Sequence, residues 1–490
     1  MSVSVEALLQ AAAANTAAGE FQAAGDQLRS VLLQHPDHAE AATRLADIEI
    51  DHGLYGNAVA RLLSTLRAHP RHVPAVTALA RACLLAGRPE EALIHARRAV
   101  ALDRADPAPR MQLARVLLRL GQLAEARAIG AALLAAAGDS TERAGLAHGL
   151  LSEVLEADAD PAALEHFRLG ATLLPGDPYH HMAYGLALLR AGDYPAGWEE
   201  YEHRRLTVAL RKQALALPWE LNWNGQDLRG RTIVLYDEQG IGDAIQFFRY
   251  LPMVAARGPA RLIHVAFEAL APVFRTAAPY VEVLDKLPFG TQLQYHCPTV
   301  SLGRVFGTRV DSVPAPVPYL FADAEHMQVW GPEIGGAPRP RIGLAWSGNP
   351  THQNDHMRSI PAALMLELTR AMPSGAFYAL QTEIRPTDAA AVSACPALHT
   401  IGGRFRNFAD TAAVIHELDL VITVDTAVAH LAGAMGKPVW VLLPRVADWR
   451  WLEHRDTSPW YPTARLFRAD RDGWPPVIQR VAAALQSFAG

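Results

Sequence analysis

The sequence of 490 residues predicts an α-helical solenoid of repeats followed by two doubly wound α/β domains. Two observations support this fold class: a repeat of constant length in the N-terminal part, and short β-rich runs that alternate with helical stretches in the C-terminal part. The chain is also longer than the roughly 250 to 300 residues at which a single hydrophobic core stops growing. We therefore expect three domains, at residues 1–205, 206–335 and 336–490.

A glycine recurs every 34 residues in the N-terminal part, and an alanine follows each glycine five residues later. The residues concerned are Gly19, Gly53, Gly87 and Gly121, and Ala24, Ala58, Ala92 and Ala126. This period, with Pro36 and Pro70 at the far turn, resembles the tetratricopeptide repeat, which is a pair of packed helices. Glycine permits the tight turn within a pair, and alanine permits close approach of the helices. The register slips before Asp158, which takes the glycine position, and the last repeat ends near Arg205.

Repeats of this kind bury their apolar faces only against neighbouring repeats, so they form a curved solenoid with a concave groove. Such a groove favours a peptide or a protein as its partner. A dimerisation platform or a rigid spacer is the alternative, because the alanine-rich composition does not reveal which helix face is functional.

Short apolar runs in the C-terminal part have the composition of buried parallel strands. They are TIVLY (232–236), RLIHVAF (261–267), VEVL (281–284), IGLAWS (342–347), AFYALQ (376–381), LVITV (420–424) and VWVLL (439–443). The segment GPEIGGAPRPR (331–341) is rich in glycine and proline, and it predicts a linker between the two α/β domains.

Polar residues follow three of these runs at the strand ends, which is where open parallel sheets bind ligands. After TIVLY, Gly240 and Gly242 allow a tight turn into a helix, and Asp243 is either a helix cap or a reacting base. After IGLAWS comes a polar loop, which is typical of a functional site. This loop carries His352, Asn354, Asp355, Arg358 and Ser359.

The run LVITV leads into Asp425 and Thr426, which begin a helix of small and apolar residues that includes Ala427. Free N–H groups and the positive end of a helix dipole suit a phosphate, so we expect this helix to hold the phosphates of a nucleotide. The alternative is that Asp425 and Thr426 are ordinary helix caps. His430 has no second histidine or cysteine at ligand spacing, and we therefore expect no metal site here.

Composition excludes several classes of protein. The formal charge of −5 gives no basic excess for gripping a nucleic acid. Cys83, Cys297 and Cys395 form neither a disulfide framework nor a metal-ligand spacing, which favours the reducing cytoplasm. No apolar run reaches the roughly 18 residues that suggest a membrane span, and the first residues do not have the pattern of a signal peptide.

Four segments together resemble the bacterial tetratricopeptide-repeat glycosyltransferases related to the heptosyltransferase family. They are EQGIGDAIQFFRYLP (238–252), HCPTVSLG (296–303), GLAWSGNPTHQNDHMRSIP (343–361) and the block from Asp419 to Phe467. The resemblance implies two facing Rossmann-like domains of the glycosyltransferase B fold, with the nucleotide sugar bound mainly by the C-terminal domain. It also implies an inverting transfer to a hydroxyl, with no metal ion and no cofactor besides the nucleotide-sugar co-substrate.

The resemblance assigns roles to individual residues. The family's Gly-Asp pair falls on Gly242 and Asp243, which makes Asp243 the candidate general base. Arg358 is expected to neutralise the leaving phosphate. The predicted donor-binding residues are Gly240, Gly242, His352, Asn354, Asp425, Thr426, Ala427 and His430.

Departures from the family pattern bear on the substrates. Glu238-Gln239-Gly240-Ile241 stands where the heptosyltransferases have a serine-rich turn, which argues against a heptose donor. The repeats, which heptosyltransferases lack, favour a polypeptide acceptor such as flagellin over lipopolysaccharide. A surface-glycan or lipid-linked acceptor and a non-catalytic repeat adaptor are the alternatives. Gln239 and Gln246 are candidates for the acceptor side, and Trp449 and Trp451 are either core aromatics or a sugar platform.

Overall fold

A computed structural model describes residues 4–207, 210, 215, 217–314, 317–350 and 354–488. The chain forms two compact units, Met1–His180 and His181–Gly490. Among the described residues, no helix has the length and apolar character that crossing a membrane requires. The predicted domain boundaries after residues 205 and 335 stay predictions.

The N-terminal unit consists of paired antiparallel helices, and the pairing continues through the first residues of the second unit. The helices are α1 Val5–Ala18, α2 Phe21–Gln34, α3 Ala39–Asp51, α4 Tyr55–Ala68, α5 Val73–Leu85, α6 Pro89–Leu102, α7 Pro107–Arg119, α8 Leu123–Ala135, α9 Thr141–Ala157, α10 Ala163–Leu173, α11 Pro178–Ala191 and α12 Tyr194–Tyr201.

The repeat register explains why these helices pair. The four predicted turn glycines have left-handed backbones, with φ between 71° and 81°, which glycine adopts without strain. The four predicted alanines are completely buried, so a larger side chain would separate the helices. The position predicted at Asp158 is wrong by one residue, because the left-handed residue there is Ala159 (φ 50°), whereas Gly192, 34 residues after Asp158, is left-handed (φ 91°).

The C-terminal unit contains two parallel sheets, which confirms the prediction that an α/β region follows the helical repeats. The strands are β1 Thr232–Tyr236, β2 Arg261–Val265, β3 Glu282–Leu284, β4 Tyr295–Pro298, β5 Arg341–Ala345, β6 Ala376–Ala379, β7 Leu398–Thr400, β8 Leu420–Val424, β9 Val439–Leu443 and β10 Ala464–Arg468. One sheet has the order β3-β2-β1-β4 and the other β10-β9-β8-β5-β6-β7. The finer prediction of a glycosyltransferase B arrangement stays a prediction.

Helices connect these strands. They are α13 Ile241–Phe247, α14 Leu251–Ala255, α15 Ala271–Ala277, α16 Leu302–Val305, α17 Ala324–Gly335, α18 Asp355–Arg358, α19 Ala362–Met365, α20 Glu367–Ala371, α21 Pro386–Ser393, α22 Phe408–Glu417, α23 Ala427–Ala434 and α24 Trp474–Gln486.

The predicted linker at residues 331–341 is wrong in its first half, because α17 continues to Gly335 with Pro332 inside it. Two buried residues fix this helix in place. Trp330 donates its indole N–H to Asp410 at 2.8 Å, and Ile334 is completely buried. Packing of these side chains outweighs the weak helix preference of glycine and proline.

The strand order places two loops at one crevice. From β5 the chain goes to β6 and β7 on one side, and β8, β9 and β10 lie on the other side. Loops that leave neighbouring strands in opposite directions open a ligand crevice at the carboxyl ends of those strands. The loop after β5, which leads to Arg358, and the turn after β8, which contains Asp425, therefore meet there.

A buried arginine ties the residues after α13 to the end of the chain. Arg249 is 1% exposed, and it donates to the backbone oxygen of Trp460 at 2.8 Å and to the Tyr319 hydroxyl at 3.1 Å. Its guanidinium also lies over the rings of Tyr319, Trp460 and Tyr461. Aromatic faces and a carbonyl replace the water that this cation loses on burial.

Candidate active site

The two predicted elements, Gly242-Asp243 and Asp425–His430, come together where α13 packs against α23. A Cβ atom built on Gly242 would lie 2.7 Å from Cδ2 of His430, closer than carbon atoms approach. Only glycine therefore fits at position 242 without a shift of the histidine ring.

His430 is buried, with 3% of its surface exposed. Its Nδ1 lies 2.8 Å from the Tyr461 hydroxyl, and its Nε2 lies 3.8 Å from Oδ1 of Asp425. Burial, together with the cations Arg450, Arg249 and Arg358, holds the pKa of His430 well below its ordinary value. The imidazole is therefore neutral at pH 7.

Asp243 makes two contacts that restrict its carboxylate. One oxygen accepts the backbone N–H of Gly240 at 3.0 Å, so the residue does cap its helix. The other oxygen forms an ion pair with Arg450. Burial raises the pKa of Asp243, and Arg450 opposes this by stabilising the ionised form. The base role predicted for Asp243 stays a prediction.

Arg450 is a site residue that sequence reasoning missed. Its guanidinium contacts Asp243, the Asp448 carboxylate at 2.6 Å and the side-chain oxygen of Gln246. Arg450 stands between the two tryptophans of the segment DWRW, whose position after β9 is the signal that points to it. Trp449 and Trp451 are 2% and 0% exposed, so they are core aromatics and not an open sugar platform.

Arg358 lies beside the turn that follows β8. It donates through Nη1 to the backbone oxygen of Asp425 at 3.2 Å. Its Nε is buried and has no hydrogen-bond partner among the described residues. A Cβ on Gly348 would lie 2.7 Å from Nη2 of Arg358, so this glycine makes room for the guanidinium.

The side chain of Asp425 is 13% exposed and surrounded by charges. Burial and the neighbouring Asp448 raise the pKa of Asp425 to about 6, while Arg450 and Arg358 oppose the rise. This carboxyl group thus gains a proton closer to neutrality than an ordinary aspartate does.

The remaining predicted residues lie at the ends of these loops. Thr426 precedes α23, whose first residue is Ala427, and no side chain caps this helix. The Thr426 hydroxyl instead lies 3.2 Å from that of Thr423. Asn354 is exposed at the start of α18, and His352 lies outside the described residues.

Asp355 fixes the loop that carries Arg358. It accepts hydrogen bonds from the Ser359 hydroxyl at 2.8 Å and from Arg385 at 2.6 Å. Arg385 also donates to the backbone oxygen of Gly348 at 2.9 Å. Sequence reasoning placed Asp355 and Ser359 in this loop but missed Arg385, which follows a different strand.

Of the two acceptor-side candidates, Gln246 is completely buried and Gln239 is half-buried. Two groups of described residues have ligand atoms close enough to share a metal ion. They are Cys83 with Glu91 and His95, and His181 with Glu200 and His203, and neither group includes a predicted catalytic or donor-binding residue.

Matches to known families cover both parts of the chain. Two tetratricopeptide-repeat families match residues 43–109 and 83–151. Glycosyltransferase family 9 (heptosyltransferase) matches residues 395–471, which include Asp425, His430 and Arg450 but neither Asp243 nor Arg358.

Among curated proteins, the chain is similar to Protein FlbA of Caulobacter vibrioides, with 28% identity over 64% of this chain. The chain spans 57% of the length of that relative. Among solved structures, it is similar to a thermophilic TPR protein of Thermus thermophilus, with 22% identity, 38% of this chain and 100% of that chain covered, and a TM-score of 0.35. MamA of Desulfovibrio magneticus is 18% identical, with 34% and 94% covered and a TM-score of 0.27.

The family matches coincide with the helical repeats and with the part of the chain that forms β7 to β10, which includes Asp425 after β8. The chain therefore combines tetratricopeptide repeats with a glycosyltransferase family 9 segment, as its resemblance to the repeat-bearing glycosyltransferases of the heptosyltransferase superfamily predicted.

Proposed function

We propose that this protein is a metal-independent, inverting glycosyltransferase that moves a sugar from a nucleotide sugar to a hydroxyl group of a protein. One observation carries the proposal: two arginines, Arg358 and Arg450, act on Asp425 just before the uncapped start of α23, and Arg450 also pairs with the buried carboxylate of Asp243. The family 9 match, which implies glycosyl transfer, supports it.

Buried hydrogen-bond donors without acceptors support a phosphate ligand at this site. The Nε of Arg358 and the amide nitrogen of Gln246 are buried and have no hydrogen-bond partner among the described residues, and the nearest carboxylate oxygen to that Nε, Oδ1 of Asp355, lies 3.8 Å away. Buried donors are normally paired, so donors left without a partner indicate a ligand that is rich in acceptors. The diphosphate of a nucleotide sugar supplies such oxygens, and the uncapped N–H groups at Ala427 add to the same site.

The chemistry then requires one proton transfer and one displacement. Asp243 accepts the proton of the acceptor hydroxyl as that oxygen bonds to the anomeric carbon of the sugar. The bond from this carbon to the phosphate oxygen breaks, and the nucleotide leaves. Arg358 and the helix N–H groups stabilise the negative charge that develops on the phosphate. A single displacement inverts the configuration at the anomeric carbon.

Arg450 favours the ionised form of Asp243, which is the form that acts as a base. Burial raises the pKa of this carboxyl group, because a low-dielectric environment disfavours the ionised form. The ion pair with Arg450 stabilises the carboxylate and orients it toward the start of α13. We therefore assign Arg450 to the support of the base.

The tetratricopeptide repeats favour a protein acceptor, because repeats of this kind commonly bind peptides or proteins in their groove. The resemblance to repeat-bearing flagellin glycosyltransferases makes serine or threonine hydroxyls of a protein such as flagellin the first acceptors to examine.

The experiment uses the purified full chain with UDP-, GDP-, ADP- and CMP-linked sugars and with extracts from cells that lack this protein. We expect one donor to release free nucleotide, and mass spectrometry to find its sugar on an extract protein. Sugar found on a lipid or polysaccharide would change the acceptor class. Absence of nucleotide release with every donor and extract would favour the adaptor alternative.

Replacing Arg358 by alanine is expected to weaken donor binding and to lower kcat by about 10²- to 10³-fold, because charge on the leaving phosphate loses its stabilising guanidinium. Calorimetry with the donor nucleotide and initial rates of transfer measure the two effects. Arg404→Ala is the matched control, since Arg404 is an exposed arginine that pairs with Glu333. Unchanged donor affinity in Arg358→Ala would place this guanidinium away from the phosphates.

A further inference from the structure

The turn between β1 and α13 contains a strained residue. Gln239 has a φ of 67°, a left-handed backbone that residues other than glycine rarely adopt. Such strain persists only where surrounding contacts hold it, and it is concentrated at functional sites. Gln239 directly precedes Gly240, whose N–H binds the Asp243 carboxylate.

The contacts that hold this turn come from the end of α12 and the 3-10 helix Glu202–Leu206 that follows it. The Tyr201 hydroxyl donates to the side-chain oxygen of Gln239 at 2.9 Å. Arg204 donates through Nε to Glu238 at 2.9 Å, and these two residues are 1% and 4% exposed. Two consecutive residues of the turn are thus bound by one short segment.

This segment is itself firmly seated in the C-terminal unit. The indole N–H of Trp198 donates to the backbone oxygen of Thr308 at 2.8 Å, and the indole N–H of Trp460 donates to the Tyr194 hydroxyl at 2.9 Å. Arg204 donates further to Ser301 at 2.8 Å. Because these contacts fix the segment, it can hold the strained turn in one conformation.

We propose that Tyr201 and Arg204 are positioning residues that hold Glu238 and Gln239 so that Asp243 keeps its reactive orientation. This inference rests on the proposed function, since it supplies the alignment that a general base requires. The end of α12, the last helix of the repeat pattern, then contributes to the catalytic step, besides any part in binding.

Tyr201→Phe tests the proposal because it removes only the hydroxyl. We expect amide hydrogen exchange at residues 238–243 to rise about three- to tenfold, the effect of losing one hydrogen bond. We expect kcat to fall by a similar factor, with the affinity for the donor nucleotide unchanged. Tyr194→Phe is the matched control: it removes a buried hydroxyl of the same helix that binds Trp460, and it should leave exchange at residues 238–243 as in the wild type.

A second variant separates positioning from general stability. In the Tyr201→Phe background, Gln239→Gly should restore slow exchange and part of kcat, because glycine adopts a φ of 67° without strain. Unchanged exchange in Tyr201→Phe, or absence of rescue by glycine, would overturn the proposal. If the wild type transfers no sugar, the proposed function fails, whereas the exchange measurements still decide whether Tyr201 holds the turn.

Discussion

Replacing Asp243 by asparagine is expected to lower kcat by about 10²- to 10⁴-fold, because the acceptor hydroxyl loses its general base. The amide oxygen of asparagine can still accept the N–H of Gly240, so the turn and helix α13 should keep their structure. Donor binding should therefore stay close to that of the wild type. Single-turnover transfer and calorimetry with the donor nucleotide measure the two quantities.

Asp448→Asn is the matched control, since Asp448 is the other carboxylate that pairs with Arg450. The substitution removes one negative charge beside the same arginine. Because Asp448 lies outside α13, the variant should retain most of the transfer rate. Undiminished transfer by Asp243→Asn would remove Asp243 from the base role.

The pH profile adds an independent check on the base. Burial raises the pKa of Asp243. As the solution is acidified, the wild-type rate should therefore begin to fall at a higher pH than it would with an aspartate of ordinary pKa. The rate falls with pH because a protonated carboxyl group cannot accept the proton of the acceptor hydroxyl. The residual rate of Asp243→Asn should lack this dependence.

Replacing Arg450 by methionine is expected to lower the free energy of unfolding by about 3 to 5 kcal/mol, because a broken buried ion pair leaves an uncompensated charge. The side chains of Arg450 and Asp243 are only 10% and 13% exposed, so water cannot fully replace the lost contact. Urea unfolding at pH 7 measures the change. The loss should be smaller at lower pH, because burial without the opposing arginine raises the pKa of Asp243 further, and this carboxyl group then takes up a proton in the folded state.

Two further variants show whether the lost stability comes from the ion pair. Adding Asp243→Asn to Arg450→Met should recover part of the loss, since the neutral amide needs no counter-charge. Arg229→Met breaks an exposed pair with Asp227 and should leave unfolding nearly unchanged. If Arg450→Met cost no more than Arg229→Met, the pair with Asp243 would contribute little to stability.

Much of the fold follows from local sequence patterns. The repeat register predicted the turn glycines because each turn needs a residue with a left-handed backbone, and glycine recurs at that position. The strands 232–236, 420–424 and 439–443 begin and end where their apolar runs do. Strands β4 and β7 were missed because they are short and each contains a histidine, and β10 because its exposed arginine interrupts the apolar run.

The sequence predicted only some of the residues of the candidate site, for a related reason. Gly242, Asp243 and Asp425 stand at strand ends, where the sequence places ligand contacts. Arg450 lies 207 residues from Asp243 along the chain, and Tyr201 precedes the first strand. Packing alone brings these partners to the site, so spacing could not reveal them.

The close contact between Gly242 and the His430 ring carries an evolutionary consequence. There is no spare volume between the two positions, so a side chain gained at one must be matched by a smaller one at the other. Positions 242 and 430 should therefore covary among homologous chains, and an alignment in which they drift independently would indicate a different approach of the two helices.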